Sequence, residues 1–249
     1  MMSTYFIADL HLTESRPDIT ALFLQFLATE ARQADALYIL GDLFEIWLGD
    51  DIQTPLTKQV AKALSDLSQS GVPCYYIHGN RDFMLGERYA RLCDMTILAE
   101  KSLVQLYGET ALLLHGDTLC TEDEAYQNYR KWVYKPWLRM LFLALPKFVR
   151  AKIGEKIRTS SKNQSKEKQQ QRKEIMDVYP PAVQEDCLKF GVNLMIHGHT
   201  HRPAIHEFEI NQSPATRIVL GDWYEQGSML LVNSAGKQLI SQPFLNDKG

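Results

Sequence analysis

Tyr5-Phe6-Ile7-Ala8-Asp9-Leu10-His11 begins as an apolar β-type run and ends in two side chains able to bind a metal. Four more apolar runs end the same way: 36–40 in Gly41-Asp42, 74–77 in Gly79-Asn80, 111–114 in His115-Gly116-Asp117, and 194–196 in the stretch ending Gly198-His199-Thr200-His201. Short apolar runs of this kind read as buried strands. In an open α/β sheet the carboxyl ends of the strands converge on one crevice, where ligands bind. The seven donors Asp9, His11, Asp42, Asn80, His115, His199 and His201 combine hard oxygen with imidazole nitrogen, which suits a pair of divalent metals. Each piece alone has an ordinary reading: a capping pair, a turn, a core histidine. Five repeats of one placement do not. His199 and His201, at alternate positions after a strand, also point the same way.

Around these pieces the first half alternates strand and helix. A helix is expected over 19–31, capped by Asp18 after Pro17, and another over 57–67. The donors step by 33, 38 and 35 residues from Asp9 to Asp42, Asn80 and His115, each step about one βαβ unit. Strands at 102–106 and 111–114 around Gly108 read as a hairpin. Alternating runs at 205–210, 217–220 and 229–232 suggest a second, mostly antiparallel sheet. The expected fold class is α/β: a two-sheet sandwich flanked by helices.

Bulk properties narrow the setting. A chain of 249 residues accommodates one large domain, or one domain carrying an insertion. Its 45% hydrophobic and 23% charged residues are ordinary for a globular protein, and a net charge of −3 argues against nucleic acid as a partner. Cys74, Cys93, Cys120 and Cys187 form no C-x-x-C pair and read as reduced, buried thiols. Met1 runs straight into the first strand without a signal peptide, and no apolar stretch reaches 18 residues, so a cytoplasmic protein is expected; a monomer is the expected oligomeric state.

One segment breaks the rhythm. Residues 130–173 hold fourteen Lys or Arg against Glu155 and Glu167, a balance of +12, which leaves −15 for the rest of the chain. Trp132, Tyr134, Trp137, Leu141, Phe142 and Phe148 are interleaved with the basic residues, and Pro136 and Pro146 divide the helices. The organisation expected is a core of 1–121 and 178–249 with a helical cap inserted at 122–177. Such a face is either solvated surface or a site for lipid chains and an anionic membrane surface.

Two nearby dications need a shared ligand, and Asp42 is the best candidate for the bridge. Asp9, His11 and one C-terminal histidine would complete one metal; Asn80, His115 and the other histidine would complete the second. Such a pair supplies a hydroxide nucleophile and clamps phosphoryl oxygens. The ordered pieces D-x-H, G-D, G-N, H and G-H-x-H resemble the calcineurin-like metallophosphoesterase superfamily, from Asp9 to His201. The third piece departs from that family's usual G-N-H-[DE]: it reads Gly79-Asn80-Arg81-Asp82. A guanidinium holds two phosphate oxygens as a fixed fork but donates a proton poorly, which fits a leaving group that is itself a phosphate.

With this variant, Ile7-Ala8-Asp9-Leu10-His11-Leu12, His78-Gly79-Asn80-Arg81-Asp82-Phe83 and His197-Gly198-His199-Thr200-His201-Arg202-Pro203 are similar to the branch of the family acting on UDP-2,3-diacylglucosamine in lipid A synthesis. The resemblance implies water attack on the α-phosphate of that lipid-linked UDP-sugar, giving UMP and 2,3-diacylglucosamine 1-phosphate. It implies two Mn²⁺ bridged by Asp42, a cap holding the acyl chains, and a place on the cytoplasmic face of an inner membrane. It further implies catalytic roles for Arg81 and His199, and substrate contacts at Asn80, Arg81, Asp123, Ser161, Ser165, Lys168 and His199. Two other functions compete: a phosphodiesterase or phosphatase for soluble substrates, against which Arg81 and the basic cap argue, and a non-catalytic scaffold, which would have lost ligands that this chain keeps. His78 and His197 read as supporting residues. Trp47, Asp50 and Asp51 read equally as site lining or as surface loop.

Overall fold

The structure, a computed structural model, describes residues 2–162 and 177–244, with side chains through 156 and from 177 onward. Two sheets lie face to face between helices. The first has the order β11-β10-β1-β2-β3-β4, built from β1 (Ser3–Ile7), β2 (Ala36–Ile39), β3 (Cys74–Tyr76), β4 (Met95–Ile97), β10 (Gly227–Asn233) and β11 (Gly236–Gln242). The second has the order β5-β6-β7-β9-β8, from β5 (Lys101–Leu106), β6 (Glu109–Leu114), β7 (Leu194–His197), β8 (Ala204–Ile210) and β9 (Ser213–Val219).

Three apolar layers hold this together, and period-2 alternation assigns each residue to one of them. Ile7, Leu37 and Ile39 meet Phe23, Phe26 and Leu64 of helices α1 (Pro17–Ala28) and α2 (Pro55–Gln69). Phe6, Leu40, Leu113, Ile196, Ile218 and Leu230 fill the space between the sheets. Leu112, Leu114 and Met195 pack on Val183 and Cys187 of the last described helix, α7 (Pro180–Phe190). Both faces of the central strands are covered, and that is why they read as unbroken apolar runs. All four cysteines are buried and free.

Several boundaries differ from expectation, each for a local reason. Pro17 itself opens α1, because its fixed φ suits the first helical position; Arg16 is the residue before it, and Asp18 pairs with Arg16 (2.7 Å) instead of capping. Beyond Asn80, α3 (Glu87–Cys93) and β4 add a third parallel pairing that the short run 95–97 did not announce. The second sheet is mixed, not mostly antiparallel: β7 runs parallel to both β6 and β9. The run 229–232 belongs to the first sheet, where β10 pairs antiparallel with β1 and carries β11 at its edge.

The described part of the basic segment falls on α4 (Glu124–Val133), α5 (Pro136–Ala144) and α6 (Lys147–Lys162), with breaks at the two prolines. No side chain of α4 or α5 is fully buried, and Trp132, Trp137, Met140, Leu141 and Phe148 are more than half exposed. Three of its arginines are tethers to the core, not part of a solvated face. Arg130 Nε donates to Asp117 (2.7 Å), Arg139 Nη2 to the Phe83 carbonyl (2.7 Å), and the almost fully buried Arg150 forks onto Asp51. Among the described residues no helix is long and apolar enough to cross a membrane.

Candidate metal centre

The ends of β1, β2, β3, β6 and β7 meet at one edge of the sandwich, and the seven predicted donors meet with them. Five of the seven, Asp9, His11, Asp42, His199 and His201, have φ between 49° and 71°. Among the described residues only four other non-glycine residues lie in that left-handed region. Each such residue costs about 1–3 kcal/mol, a cost that persists where the surroundings over-determine the backbone. Leaving a strand this way turns consecutive donors inward at once. Gly41 (φ 90°) allows the closest approach, since a Cβ there would stand 2.6 Å from both Gly79 Cα and His115 Nδ1.

The donors form two groups around Asp42. In the first, His11 Nε2 and His201 Nε2 are 3.4 Å apart, and His201 Nε2 is 3.4 Å from Asp9 Oδ1. In the second, Asn80 Oδ1 lies 2.9 Å from His115 Nε2 and from His199 Nδ1, with the two ring nitrogens 3.2 Å apart. Asp42 Oδ2 stands 3.8 Å from both His11 Nε2 and His115 Nε2. The histidine left open for each group is thereby assigned: His201 to the first and His199 to the second.

These spacings fit a metal. Donors about 2.1 Å from one cation lie roughly 3–3.5 Å from each other. Asp9 Oδ1 is buried without a hydrogen bond of normal geometry, as expected of a ligand atom. The atoms of Asp9, His11 and His201 lie within 4.8 Å of one another, as do those of Asp9, Asp42 and His115.

Five of the seven donors are aimed by a partner on their far side. His115 Nδ1 donates to the Leu40 carbonyl (2.8 Å), His11 Nδ1 faces Glu45 (3.2 Å), and His201 Nδ1 faces Asp222 (3.2 Å). Asp9 Oδ2 accepts the His199 amide (2.8 Å) and Asp42 Oδ1 the Arg81 amide (2.8 Å), which leaves one oxygen of each for the centre. Asp82 is fully buried and accepts from the amides of Asp42 (3.2 Å), Gly79 (3.0 Å) and Phe44 (3.2 Å), joining two donor loops.

Without a cation the cluster holds protons. Burial opposes charge on His115 and His201, but Asp42 and Asp9 raise His115 to about 9, and Asp9 with Asp222 raises His201 to about 10. Burial pushes Asp42 up to about 6. Burial also acts to raise Asp9, yet His201, His115 and His11 hold it below the usual carboxylate range. Burial and the neighbouring His115 hold His199 well below its ordinary value.

A cleft of about 470 Å³ opens over the donors, lined also by Arg81, Thr200, Arg202, Asp222 and Tyr224. A recess of about 300 Å³ shares Asn80, Arg81 and His199 with it and runs under α4, past Asp123, Tyr126 and Tyr129. Arg81 therefore stands where the two join. Asp123 lines the recess and also caps α4 through the Tyr126 amide (2.9 Å). Ser161 is on α6 with its side chain outside the described set; Ser165 and Lys168 lie outside the described residues. Asp50 and Asp51 are structural: Asp50 accepts from Trp47 and from the Gly86 and Tyr89 amides, and Asp51 holds Arg150. His78 bonds the Leu85 carbonyl, and the buried His197, lowered by burial to about 4, bonds that of Gly198.

Sequence reasoning gave no role to Asp222 or Tyr224. The signal for Asp222 was present: Gly221-Asp222 ends an apolar run as Gly41-Asp42 does, and β9 runs parallel to β7, so its end reaches the same edge.

The family model and the sequence relatives place the chain among the phosphoesterases. The family model described as calcineurin-like phosphoesterase matches residues 2–203. UDP-2,3-diacylglucosamine hydrolases of Escherichia coli O139:H28 and Shigella flexneri are each 56% identical over 243 residues, covering 98% of this chain and all of theirs. A solved archaeal phosphodiesterase is similar at 12% identity with TM-score 0.48, over 96% of this chain and 99% of that one.

Proposed function

The chain belongs to the calcineurin-like phosphoesterase family and to its UDP-2,3-diacylglucosamine hydrolase members, and from that premise we propose that it hydrolyses UDP-2,3-diacylglucosamine to UMP and 2,3-diacylglucosamine 1-phosphate. The observation that carries this reading is Arg81, standing in the cleft between the donor cluster and the recess under α4.

Asp9, His11, Asp42 and His201 would hold one Mn²⁺, and Asp42, Asn80, His115 and His199 the other. When bound, such a pair would supply an activated water and neutralise charge on the phosphoryl oxygens. Water oxygen bonds to the α-phosphorus, the bridging P–O bond to the sugar phosphate breaks, and the water proton passes to solvent. Arg81 grips phosphate oxygens as a fork and thereby orients the pyrophosphate. It has no proton to give at neutral pH, and a phosphate leaving group needs none. His199, kept neutral by burial, serves as a donor atom and borders both cavities. Asp123 meets the sugar in the recess; Ser161 on α6, and Ser165 and Lys168 beyond the described residues, are further contacts in this reading.

The segment 122–177 acts as a cap in this reading. Its exposed aromatic and aliphatic side chains receive acyl chains, and its remaining cations face anionic headgroups of the cytoplasmic leaflet. The decisive assay is UMP release from UDP-2,3-diacylglucosamine with Mn²⁺, set beside p-nitrophenyl phosphate and ATP. Hydrolysis of the latter two with none of the first would overturn the reading. Cosedimentation with anionic vesicles at low salt, lost at high salt, tests the membrane partner.

A further inference from the structure

A phosphorus atom over the donor cluster leaves a pyrophosphate substrate two ways out. One is the recess under α4, past Tyr126 and Tyr129 toward the exposed apolar side chains of the insertion. The other is the part of the main cleft lined by Thr200, Arg202, Asp222 and Tyr224. This second way is lined by polar and charged side chains, and it carries the phenol ring of Tyr224. The Tyr224 ring lies parallel to the His11 ring, with centroids 5.1 Å apart and 9° between planes, so His11 takes one face. The residue is still 39% exposed and lines the cleft. Its backbone is held on both sides: the amide donates to Asp222 Oδ1 (3.0 Å), and the carbonyl accepts from Arg16 Nη2 (2.8 Å). The His201 ring also meets that of Tyr224, tilted by 55° at 5.8 Å, which fixes the ring further, and a fixed, part-exposed aromatic ring beside a phosphate site is how proteins hold a nucleobase.

Resting on the pyrophosphatase reading above, we propose that the groove between Thr200, Arg202, Asp222 and Tyr224 is the nucleoside subsite. The pyrimidine stacks on the outer face of Tyr224, and Arg202, oriented by its ion pair with Asp177, reaches the ribose hydroxyls. The two arms of the substrate diverge at the metal centre, the nucleoside along the polar groove and the acylated sugar under α4. Tyr224 then contributes to affinity for the nucleotide and not for the lipid product.

Competition titrations on the Mn²⁺-loaded protein test this with three probes: UMP, ribose 5-phosphate, which lacks the base, and 2,3-diacylglucosamine 1-phosphate. The wild type is expected to bind UMP on the order of tenfold or more tighter than ribose 5-phosphate, the scale of one base stacked on an aromatic ring. Tyr224→Leu should close that gap, Tyr224→Trp should keep it, and neither should move the lipid product by more than about twofold. A gap that survives Tyr224→Leu, or is absent from the wild type, overturns the subsite. So does a loss shared by all three probes, since that reports only a disturbed His11. Measured metal content separates the last case. If the wild type releases no UMP from UDP-2,3-diacylglucosamine, the underlying reading falls instead; turnover with an unaltered gap in Tyr224→Leu sinks the subsite alone.

Discussion

Replacing Asp82 by Ala should damage the metal centre without touching a ligand. The Asp82 carboxylate is fully buried and receives three amides, those of Asp42, Gly79 and Phe44, at 3.0–3.2 Å. Hydrogen bonds to a charged group are worth about 1.5–3 kcal/mol each, and a donor left unsatisfied in the interior costs about 1–3 kcal/mol. The gross loss is therefore several kcal/mol, offset in part because the variant no longer buries a carboxylate. A net destabilisation of about 3 kcal/mol or more follows, which in a chain of this size lowers Tm by about 6–12 °C. The loop that turns Asp42 inward and the loop that carries Asn80 lose their common anchor, so Mn²⁺ affinity should fall about 10- to 100-fold. Asp82→Asn retains one acceptor oxygen for the Asp42 and Gly79 amides but presents an NH₂ to Phe44, and should give roughly half the loss. Thermal denaturation and metal titration of the two variants measure both effects. An Asp82→Ala protein with wild-type Tm and wild-type metal affinity would refute the reasoning, because the three amides would then be satisfied some other way.

Asp42→Ala removes the oxygen that stands 3.8 Å from both His11 and His115; turnover should be abolished and bound metal reduced in elemental analysis, and a fully active variant would end the bridging role. Arg81→Lys keeps the charge but loses the fork, so kcat/KM for UDP-2,3-diacylglucosamine should fall about 10- to 100-fold, the equivalent of one charge-assisted hydrogen bond; an unchanged value would mean that Arg81 does not hold the phosphate. Metal-free protein should lose stability as pH rises. His115 and His201 have folded values of about 9 and about 10 against 6.5 unfolded, so the stability they contribute is fully present below pH 6.5 and lost as pH passes 9–10. Melting in chelator should therefore give a lower Tm at pH 10 than at pH 6.5, with Mn²⁺ weakening the trend because the cation replaces those protons; a Tm that rises over this interval would contradict the assigned directions.

The seven donors were legible because the chemistry repeats along the chain: each sits within a few residues of a buried strand's carboxyl end, and parallel strands bring such ends together. Arg81 was legible as a departure inside a repeated piece. The partners behind the donors were harder to find. Glu45 faces His11 and Asp82 gathers three amides, both across loops, and no periodicity marks a residue that supports another from 30 or 40 positions away. The C-terminal topology was hidden for a related reason. Alternation in 229–232 says that a strand has a buried face but not which sheet it joins; β1 takes β10 as an antiparallel neighbour because its other edge is already paired with β2.

The backbone at the donors carries the most information that no residue type displays. Asp, Asn and His tolerate the left-handed region better than most residues, and five donors occupy it. In a regular strand Asp9 and His11, two residues apart, would share a face but lie about 7 Å apart along the chain. The positive φ at each breaks that regularity, so that Asp9 Oδ1 and His11 Nε2 both come within 3.4 Å of His201 Nε2. The same break at His199 and His201 sends one histidine to each group. A strand-end carboxylate or imidazole is thus a donor by its side chain, but its assignment to one group or the other is made by a backbone conformation that Gly41, Gly79 and Asp82 hold in place from the neighbouring loops.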